Sequence, residues 1–386
     1  MESACARGGP DGGRVRRRVV QQPGRRLDGG PPRWRARCAP CRRGFVLPIA
    51  LPQATRAAVR RRSDGLLRLS SAQVDGPVVE LRIDDLAPGR VEGWAKYPAG
   101  VAWALRQVGH TLGGADIPLS SDVPTGAGLS SSAALECVVA AELNDLETLA
   151  LLPRELALLA QRAENEFVGV PCGAMDQLAS VCCVEGHALL LDTRELAMRQ
   201  IPFDPDGQGK RLLVIDTRTK HDLADGAYAE LRAGCEHAAE LLGLRALRDL
   251  STADLGASLE RLPAELRPLV RHVVTENARV QEAVALLDAG DLAALGPVLT
   301  AGRASLRDHY RVSCPETDLA VDTAVAAGAH GARMTGGGFG GSVIALVDAA
   351  VVDEVTIAVT AAFRLLGYPI PRTFLARPWG GARRLG

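Results

Sequence analysis

Residues 122–133 read DVPTGAGLSSSA, a glycine turn and three serines placed directly before a long apolar helix. Gly126 and Gly128 allow a tight turn and leave the backbone N–H groups uncovered by side chains. The helix that follows adds unpaired N–H groups and the positive end of its dipole, which together suit a phosphate group. Three serine hydroxyls can bind phosphate oxygens or Mg²⁺. The stretch therefore predicts a phosphate-binding loop.

Ordinary N-capping of the helix by Ser130 or Ser131 is the alternative interpretation of the same residues. One serine would need no other explanation, but three serines behind a Gly-x-Gly turn favour phosphate binding. The stretch lacks Gly-Lys-Ser/Thr, so it is not a loop of the Walker type.

A second stretch, PCGAMDQ at residues 171–177, contains a candidate catalytic carboxylate. Pro171 and Gly173 interrupt the preceding helix, and Asp176 falls at the start of the next one. Asp176 could stabilise that helix through its dipole, or it could act on a substrate hydroxyl within hydrogen-bond reach. Glu164, on the preceding helix, is a second carboxylate that could meet a metal ion, although taken alone it is a surface charge.

A third stretch, MTGGGFGGS at residues 334–342, contains Gly-x-Gly-x-x-Gly at positions 336, 338 and 341. A dinucleotide site needs the order strand, turn, helix, whereas here a helical stretch precedes the glycines and the strand SVIALV follows them. We therefore reject a Rossmann site. Glycines this dense predict a backbone that closely approaches either a ligand or another loop.

The composition excludes several classes of protein. The 386 residues carry 45 basic and 45 acidic side chains, which argues against a dedicated nucleic-acid binder. No run reaches the roughly 18 to 20 apolar residues that a membrane span needs. Nine cysteines are too few for a disulfide scaffold in a chain of this length, so a cytoplasmic protein is expected.

The chain changes character at Gly44. Residues 1–43 are rich in Arg, Gly and Pro without any sustained period, which predicts a disordered segment. From Gly44 onward, strand and helix patterns alternate, beginning with a strand in GFVLPIALP and a hairpin around the turn Ser63-Asp64-Gly65. Two α+β units joined near residues 185–215 are the simplest architecture.

Together, PTGAGLSSSAALE, AENEFVGVPCGAMDQ and ARMTGGGFGGS, in this order, resemble the galactokinases, which belong to the GHMP small-molecule kinases. The segments TENARV, SCPETD and GARRL extend the resemblance to the C-terminus. It implies an α+β, two-domain GHMP kinase fold with the active site in the cleft between the domains. The N-terminal domain would span residues 44–190 and the C-terminal domain residues 191–386, after an aberrant segment at 1–43.

The resemblance also implies an activity, the ATP-dependent phosphorylation of the C1 hydroxyl of galactose with Mg²⁺. Asp176 would orient or deprotonate that hydroxyl, Gly173 and Tyr228 would contact the sugar, and Ser132 and Glu164 would hold the metal. The nucleotide would be bound by Pro124, Gly126, Ala127, Gly128, Leu129, Ser130, Ser131 and Ser132. A cytoplasmic monomer is expected, with galactose and ATP as its partners and with no nucleic-acid or membrane partner.

One departure from the family is serious. Galactokinases carry a signature of the form GRVNLIGEHTDYN directly before GFVLPIALP, which supplies a phosphate-stabilising arginine and the side chains that grip the sugar. Residues 31–43 here read PPRWRARCAPCRR. We therefore expect severely reduced turnover, and an unpaired sheet edge where the first strand should lie.

Three hypotheses follow from this departure. The first is a galactokinase whose N-terminus reflects a reading-frame error or a wrong start. The second is an inactive galactokinase-like binder or regulator. The third is a GHMP kinase that acts on another small-molecule alcohol.

Overall fold

The structure, a computed structural model, describes residues 16–17, 44–124, 126–220 and 224–385. Of the segment 1–43 it describes only the strand Arg16–Arg17. The predicted disorder of that segment otherwise lies outside the described residues.

The described strands form three sheets. In chain order they are β1 (Arg16–Arg17), β2 (Phe45–Val46), β3 (Thr55–Arg61), β4 (Leu66–Ser71), β5 (Val79–Arg82), β6 (Ala115–Ser121), β7 (His187–Asp192), β8 (Met198–Pro202), β9 (Lys210–Lys220), β10 (Gly331–Thr335), β11 (Gly340–Asp348) and β12 (Arg372–Ala376). The sheet orders are β1-β3-β6-β4-β5, β10-β11-β9-β12 and β2-β7-β8.

The α-helices of the described ranges pack on these sheets. They are α1 (Lys96–Gln107), α2 (Ser131–Leu146), α3 (Pro153–Arg162), α4 (Met175–Cys182), α5 (Ala224–Leu241), α6 (Leu255–Glu260), α7 (Arg267–Asp288), α8 (Leu295–Ser305), α9 (Pro315–Ala326) and α10 (Val352–Leu365). None of them is long and apolar enough to cross a membrane.

The predicted hairpin around residues 63–65 is wrong. Strands β3 and β4 are consecutive in the chain but do not pair, because β6 lies between them, antiparallel to β3 and parallel to β4. The N–H groups of the turn are bound by the residues just before β6: Arg62 donates to the carbonyl of Gly114 and Gly65 to that of Gly113, both at 3.0 Å. The turn was recognised correctly, but its hydrogen-bond partner comes from farther along the chain.

The free edge of β3 is partly covered by β1, which runs antiparallel to it. Arg16 pairs with Val59 and Arg17 with Ala58. The expectation of an unpaired edge is therefore wrong at these two positions, because two residues of the aberrant segment supply backbone partners.

The first half of the chain packs its helices against the five-stranded sheet. Leu67 on β4 and Ile117 on β6 are fully buried against Leu105 of α1 and Leu143 of α2. Helix α3 continues into a π-helical turn at Ala163–Val168. That turn carries the candidate residue Glu164 into the interior, where it is buried.

The second half surrounds the four-stranded antiparallel sheet with helices on both faces. Along β9, Leu213 and Ile215 face the cluster formed with α9 and α10. Leu212 and Val214 point the other way, into the cluster formed with α7 and α8. This alternation explains why KRLLVIDTRT reads as a continuous apolar strand: both of its faces are buried.

The chain is firmly anchored where its globular pattern begins. The carbonyl of Gly44 accepts a hydrogen bond from Thr193 Oγ1 at 2.9 Å, and the N–H of Phe45 donates to Asn277 Oδ1 at 3.0 Å. The guanidinium of Arg248 lies over the Phe45 ring, 4.3 Å from its centroid. The strand predicted at residues 44–52 is only the two-residue β2, because Pro48 and Pro52 cannot donate to a ladder.

Replacing a core aromatic should show how much the second half depends on its packing. Phe363 on α10 is fully buried, so Phe363→Ala should lower the free energy of unfolding by about 3–5 kcal/mol. Leu365, on the same helix and 85% exposed, is the control, and Leu365→Ala should change the stability by less than about 0.5 kcal/mol. Urea unfolding followed by circular dichroism measures both, and equal effects would contradict the packing described.

Candidate active site

The predicted phosphate loop connects β6 to α2, with Thr125 outside the described residues. Ser130, the residue before α2, has a left-handed backbone (φ 57°), and no side-chain hydrogen bond caps the helix. The capping interpretation of Ser130 and Ser131 is therefore wrong. The start of α2 keeps backbone N–H groups that no cap satisfies, as an anion site requires.

A large cavity of about 1220 Å³ lies between the two halves of the chain. It brings together candidate residues that are far apart in sequence: Gly128 and Ser130 of the loop, Glu164, Gly173 and Asp176. Other candidates do not line it; those are Pro124, Gly126, Ala127, Ser131 and Ser132. The side chain of Tyr228, on α5, lies outside the described residues.

Glu164 is the centre of a buried hydrogen-bond network. Ser132 Oγ donates to its Oε1 at 2.8 Å, so Ser132 reaches the site through this carboxylate. Gln177 Nε2 and Cys172 Sγ donate to its Oε2 at 2.6 Å and 3.2 Å. Only 6% of Glu164 is exposed, so the alternative of a surface charge is wrong.

A second carboxyl group, that of Glu136 on α2, belongs to the same network and is fully buried. Gln177 Nε2 lies 3.4 Å from its Oε2, while Oε1 has no hydrogen-bond partner among the described residues. Burial, together with the nearby charge of Glu164, raises the pKa of Glu136 to about 9. The raised pKa favours the protonated form of Glu136 at neutral pH.

The donor set suits Mg²⁺, which prefers hard oxygen ligands and keeps several waters and phosphate oxygens in its coordination shell. Ser132 and Glu164 present a hydroxyl and a carboxylate oxygen 2.8 Å apart. Across the described ranges, no group of three or more His, Cys, Asp or Glu side chains is arranged as a metal site. The chain thus offers a partial site, one that a metal carried in by a nucleotide could complete.

Asp176 lies in the first turn of α4 and lines the cavity. The N-cap residue is Ala174, whose side chain makes no capping hydrogen bond. Its neighbour Gln177 points the other way, into the network around Glu164. Through Gln177, the short helix α4 therefore connects Asp176 to Glu164, the carboxylate that is hydrogen-bonded to Ser132.

The glycine-rich loop joins β10 to β11, so the stretch before it is a strand and not the helix we predicted. The rejection of a dinucleotide site stands, because a strand also follows. The loop lies against the phosphate loop: Ser342 Oγ donates to the carbonyl of Ala127 at 2.8 Å. A Cβ added at Gly341 would be 3.3 Å from that same oxygen. The predicted close approach is therefore made to another loop.

Comparisons with known proteins agree with this geometry. The family model "GHMP kinases N terminal domain" matches residues 96–183, and "GHMP kinases C terminal" matches residues 283–365. The solved galactokinase of Lactococcus lactis in complex with galactose superposes with a TM-score of 0.85 at 29% identity, over 96% of this chain and 94% of that one. A galactokinase of Streptomyces coelicolor is 61% identical over 344 residues, 89% of each chain.

The chain belongs to the galactokinase family. A galactokinase of Chloroflexus aggregans, 45% identical over 83% of both chains, supports the same assignment. The predicted resemblance and the α+β GHMP kinase fold are confirmed. As a kinase of this family, the protein uses ATP and acts on a small molecule.

Three residues of this galactokinase-family site escaped the sequence analysis. In the sequence, Glu136 looks like an ordinary polar residue of an amphipathic helix. It follows an apolar run, however, and that run gives the helix no polar face at that position. Gln177 and Cys172 flank the candidate Asp176, and nothing in their spacing indicates that they turn toward Glu164. Only the fold brings α2, the π-helical turn and α4 together.

Gly338→Ala should disturb the packing of the glycine-rich loop against Val312, whereas the neighbouring Gly337→Ala should not. Gly338 has φ +93°, and an added Cβ would lie 2.6 Å from the Cβ of Val312. We expect a loss of at least about 1 kcal/mol, seen as a lower thermal midpoint. Gly337 has open space around it, and its change should stay within about 0.5 kcal/mol. A comparable loss in both variants would contradict the contact described.

The raised pKa of Glu136 predicts a pH dependence of stability. Between its ordinary value of 4.5 and about 9, the folded state binds more protons than the unfolded state, so the stability falls as the pH rises. Glu136→Gln removes that proton and should flatten the profile of the thermal midpoint between about pH 5 and about pH 9. EDTA keeps metal out of the measurement. Glu354→Gln, on the exposed start of α10, is the control, and a variant with an unchanged slope would contradict the assignment.

Proposed function

We propose that this chain transfers the γ-phosphate of ATP to the C1 hydroxyl of galactose, giving galactose 1-phosphate and ADP. The observation that carries the proposal is the shared cavity, which is lined by the phosphate loop, Glu164 and Asp176. The Lactococcus protein, which holds galactose, covers 96% of this chain in superposition. Phosphoryl transfer needs positioning and charge neutralisation more than covalent chemistry, and these residues can supply both.

The nucleotide is bound in this proposal by the loop and the first turn of α2. The uncapped N–H groups at the start of the helix face the negative charge of the phosphates. The loop residues that bind it are Pro124, Gly126, Ala127, Gly128, Leu129, Ser130, Ser131 and Ser132. Their backbone is supported from behind by the glycine-rich loop, through the bond from Ser342 to Ala127.

Ser132 and Glu164 would hold Mg²⁺ with one hydroxyl and one carboxylate oxygen. The metal, when bound, neutralises charge on the phosphates. A bound cation would also compensate negative charge on the buried carboxylate of Glu164. This explains why a group so costly to bury is tolerated in the core.

Asp176 is the proposed catalytic residue. It orients the C1 hydroxyl and accepts its proton as the hydroxyl oxygen forms a bond to the γ-phosphorus and ADP leaves. Gly173, which precedes α4, and Tyr228 would contact the sugar. Asp176 lies in the first turn of α4, so its carboxylate stands at the positive end of the helix dipole.

A galactokinase-like binder without turnover is the second candidate, and a specific observation favours it. No Glu-His-Thr-Asp precedes Gly44 in this sequence, so the grip on the sugar hydroxyls and the arginine that stabilises the transferring phosphate are missing from their place. Losing a charge-stabilising group of that kind typically costs on the order of 10³-fold or more in rate. We therefore propose a weak kinase that keeps its nucleotide site.

The monomeric and cytoplasmic state expected from the sequence stays a prediction.

Phosphorus NMR of the full chain with ATP, Mg²⁺ and galactose tests the proposal. Galactose 1-phosphate should accumulate slowly, and Asp176→Asn should reduce its rate by about 10²- to 10⁴-fold. Asp353→Asn changes an acidic residue in the first turn of α10, away from the cavity, and should leave the rate unchanged. Equal rates in the two variants would contradict the role of Asp176. No product from the unaltered chain, with nucleotide still bound, would favour the binder.

A further inference from the structure

The side chain of Gln177 has no role in the proposed reaction, yet it is fully buried at the centre of the site. Its amide nitrogen lies 2.6 Å from Glu164 Oε2, a shorter contact than the 2.8 Å between Ser132 Oγ and Glu164 Oε1. The two donors thus bind opposite oxygens of one carboxylate. A carboxylate held at both oxygens cannot rotate about its final torsion, which is otherwise soft.

We propose that Gln177 is a positioning residue, which fixes Glu164 so that Oε1 faces Ser132 and the metal of a bound nucleotide. The inference rests on the proposed function, since it takes Ser132 and Glu164 as the metal-binding pair. Gln177 does not touch the substrate in this account; it acts through Glu164. Hydrogen-bonding partners behind a metal ligand orient that ligand and tune its affinity.

Cys172 is the weaker of the two donors to Oε2. Its Sγ lies 3.2 Å from that oxygen and donates a hydrogen bond to it. A thiol is a poor hydrogen-bond donor compared with an amide. Cys172 therefore cannot replace Gln177, and the orientation of Glu164 depends chiefly on the amide.

The position of Gln177 in the chain gives the arrangement a second consequence. It directly follows Asp176 in the first turn of α4, and Asp176 lines the cavity. The hydrogen bond to Glu164 therefore links the helix that carries the proposed catalytic carboxylate to the π-helical turn that carries the proposed metal ligand. The hydrogen bond therefore couples the position of Asp176 to that of Glu164.

The test is calorimetric titration of the full chain with AMP-PNP, a nucleotide analogue that resists transfer, with Mg²⁺ and then with EDTA. Gln177→Met keeps the size of the side chain and removes the amide. We expect it to weaken binding of the magnesium complex by about 10- to 100-fold and to leave metal-free binding unchanged. Leu178→Met, the next residue on α4 and also fully buried, is the matched control and should change neither value.

The outcomes separate the two proposals. Glu164→Ala should abolish the advantage in affinity of the magnesium complex, so that the variant binds AMP-PNP equally tightly with Mg²⁺ and with EDTA. If it does not, the metal site and the role of Gln177 both fail. If Glu164→Ala abolishes the advantage but Gln177→Met leaves it intact, only the positioning role fails.

A second variant covers the case in which Gln177→Met does not fold. Gln177→Asn keeps the amide but withdraws it by one methylene, so it should weaken binding of the magnesium complex in the same selective way. An equal loss of affinity with and without Mg²⁺ in either folded variant would indicate a merely structural role and would overturn the proposal.

Discussion

The contact between two glycine loops is the constraint on which the site depends. The glycines of a phosphate loop have no side chains that restrict the backbone, so contacts from outside the loop must fix its conformation. Here the loop between β10 and β11 does this: Ser342 binds the carbonyl of Ala127, and the backbone at Gly341 passes close to the same residue. Because the two loops come from different halves of the chain, the contact also sets the width of the cavity between them.

The buried carboxylate of Glu164 is the second constraint. An ionised group removed from water must be compensated by hydrogen bonds or by a cation. Glu164 receives hydrogen bonds from Ser132, Cys172 and Gln177, which come from three separate segments. The need to satisfy this one group therefore brings α2, the turn before α4 and α4 itself together. In the proposed function, a cation bound beside Glu164 would compensate the same group.

Much of the fold was predictable because most of the elements are determined by local patterns. The apolar period of residues 131–146 and the apolar run in KRLLVIDTRT give α2 and β9 correctly. The prediction of a hairpin at residues 63–65 was wrong because the turn residues do not specify which strand pairs with the flanking strands. The strand that pairs with both, β6, comes from about 50 residues farther along the chain. The prediction of a helix before the glycine-rich loop was wrong because the short strand β10 is stabilised by its pairing with β11, and the local sequence does not indicate that pairing.

The sequence by itself determined the resemblance to the galactokinases and predicted the phosphate loop and the two candidate carboxylates, because each of these depends on residue types at fixed local spacing. It also determined that the usual sugar-binding signature does not precede Gly44. Only the tertiary structure decided that Glu164 is buried, that the fully buried Glu136 lies near it with a raised pKa, and that Gln177 donates a hydrogen bond to Glu164. Burial and pairing depend on which segments meet in space, and local spacing does not contain that information.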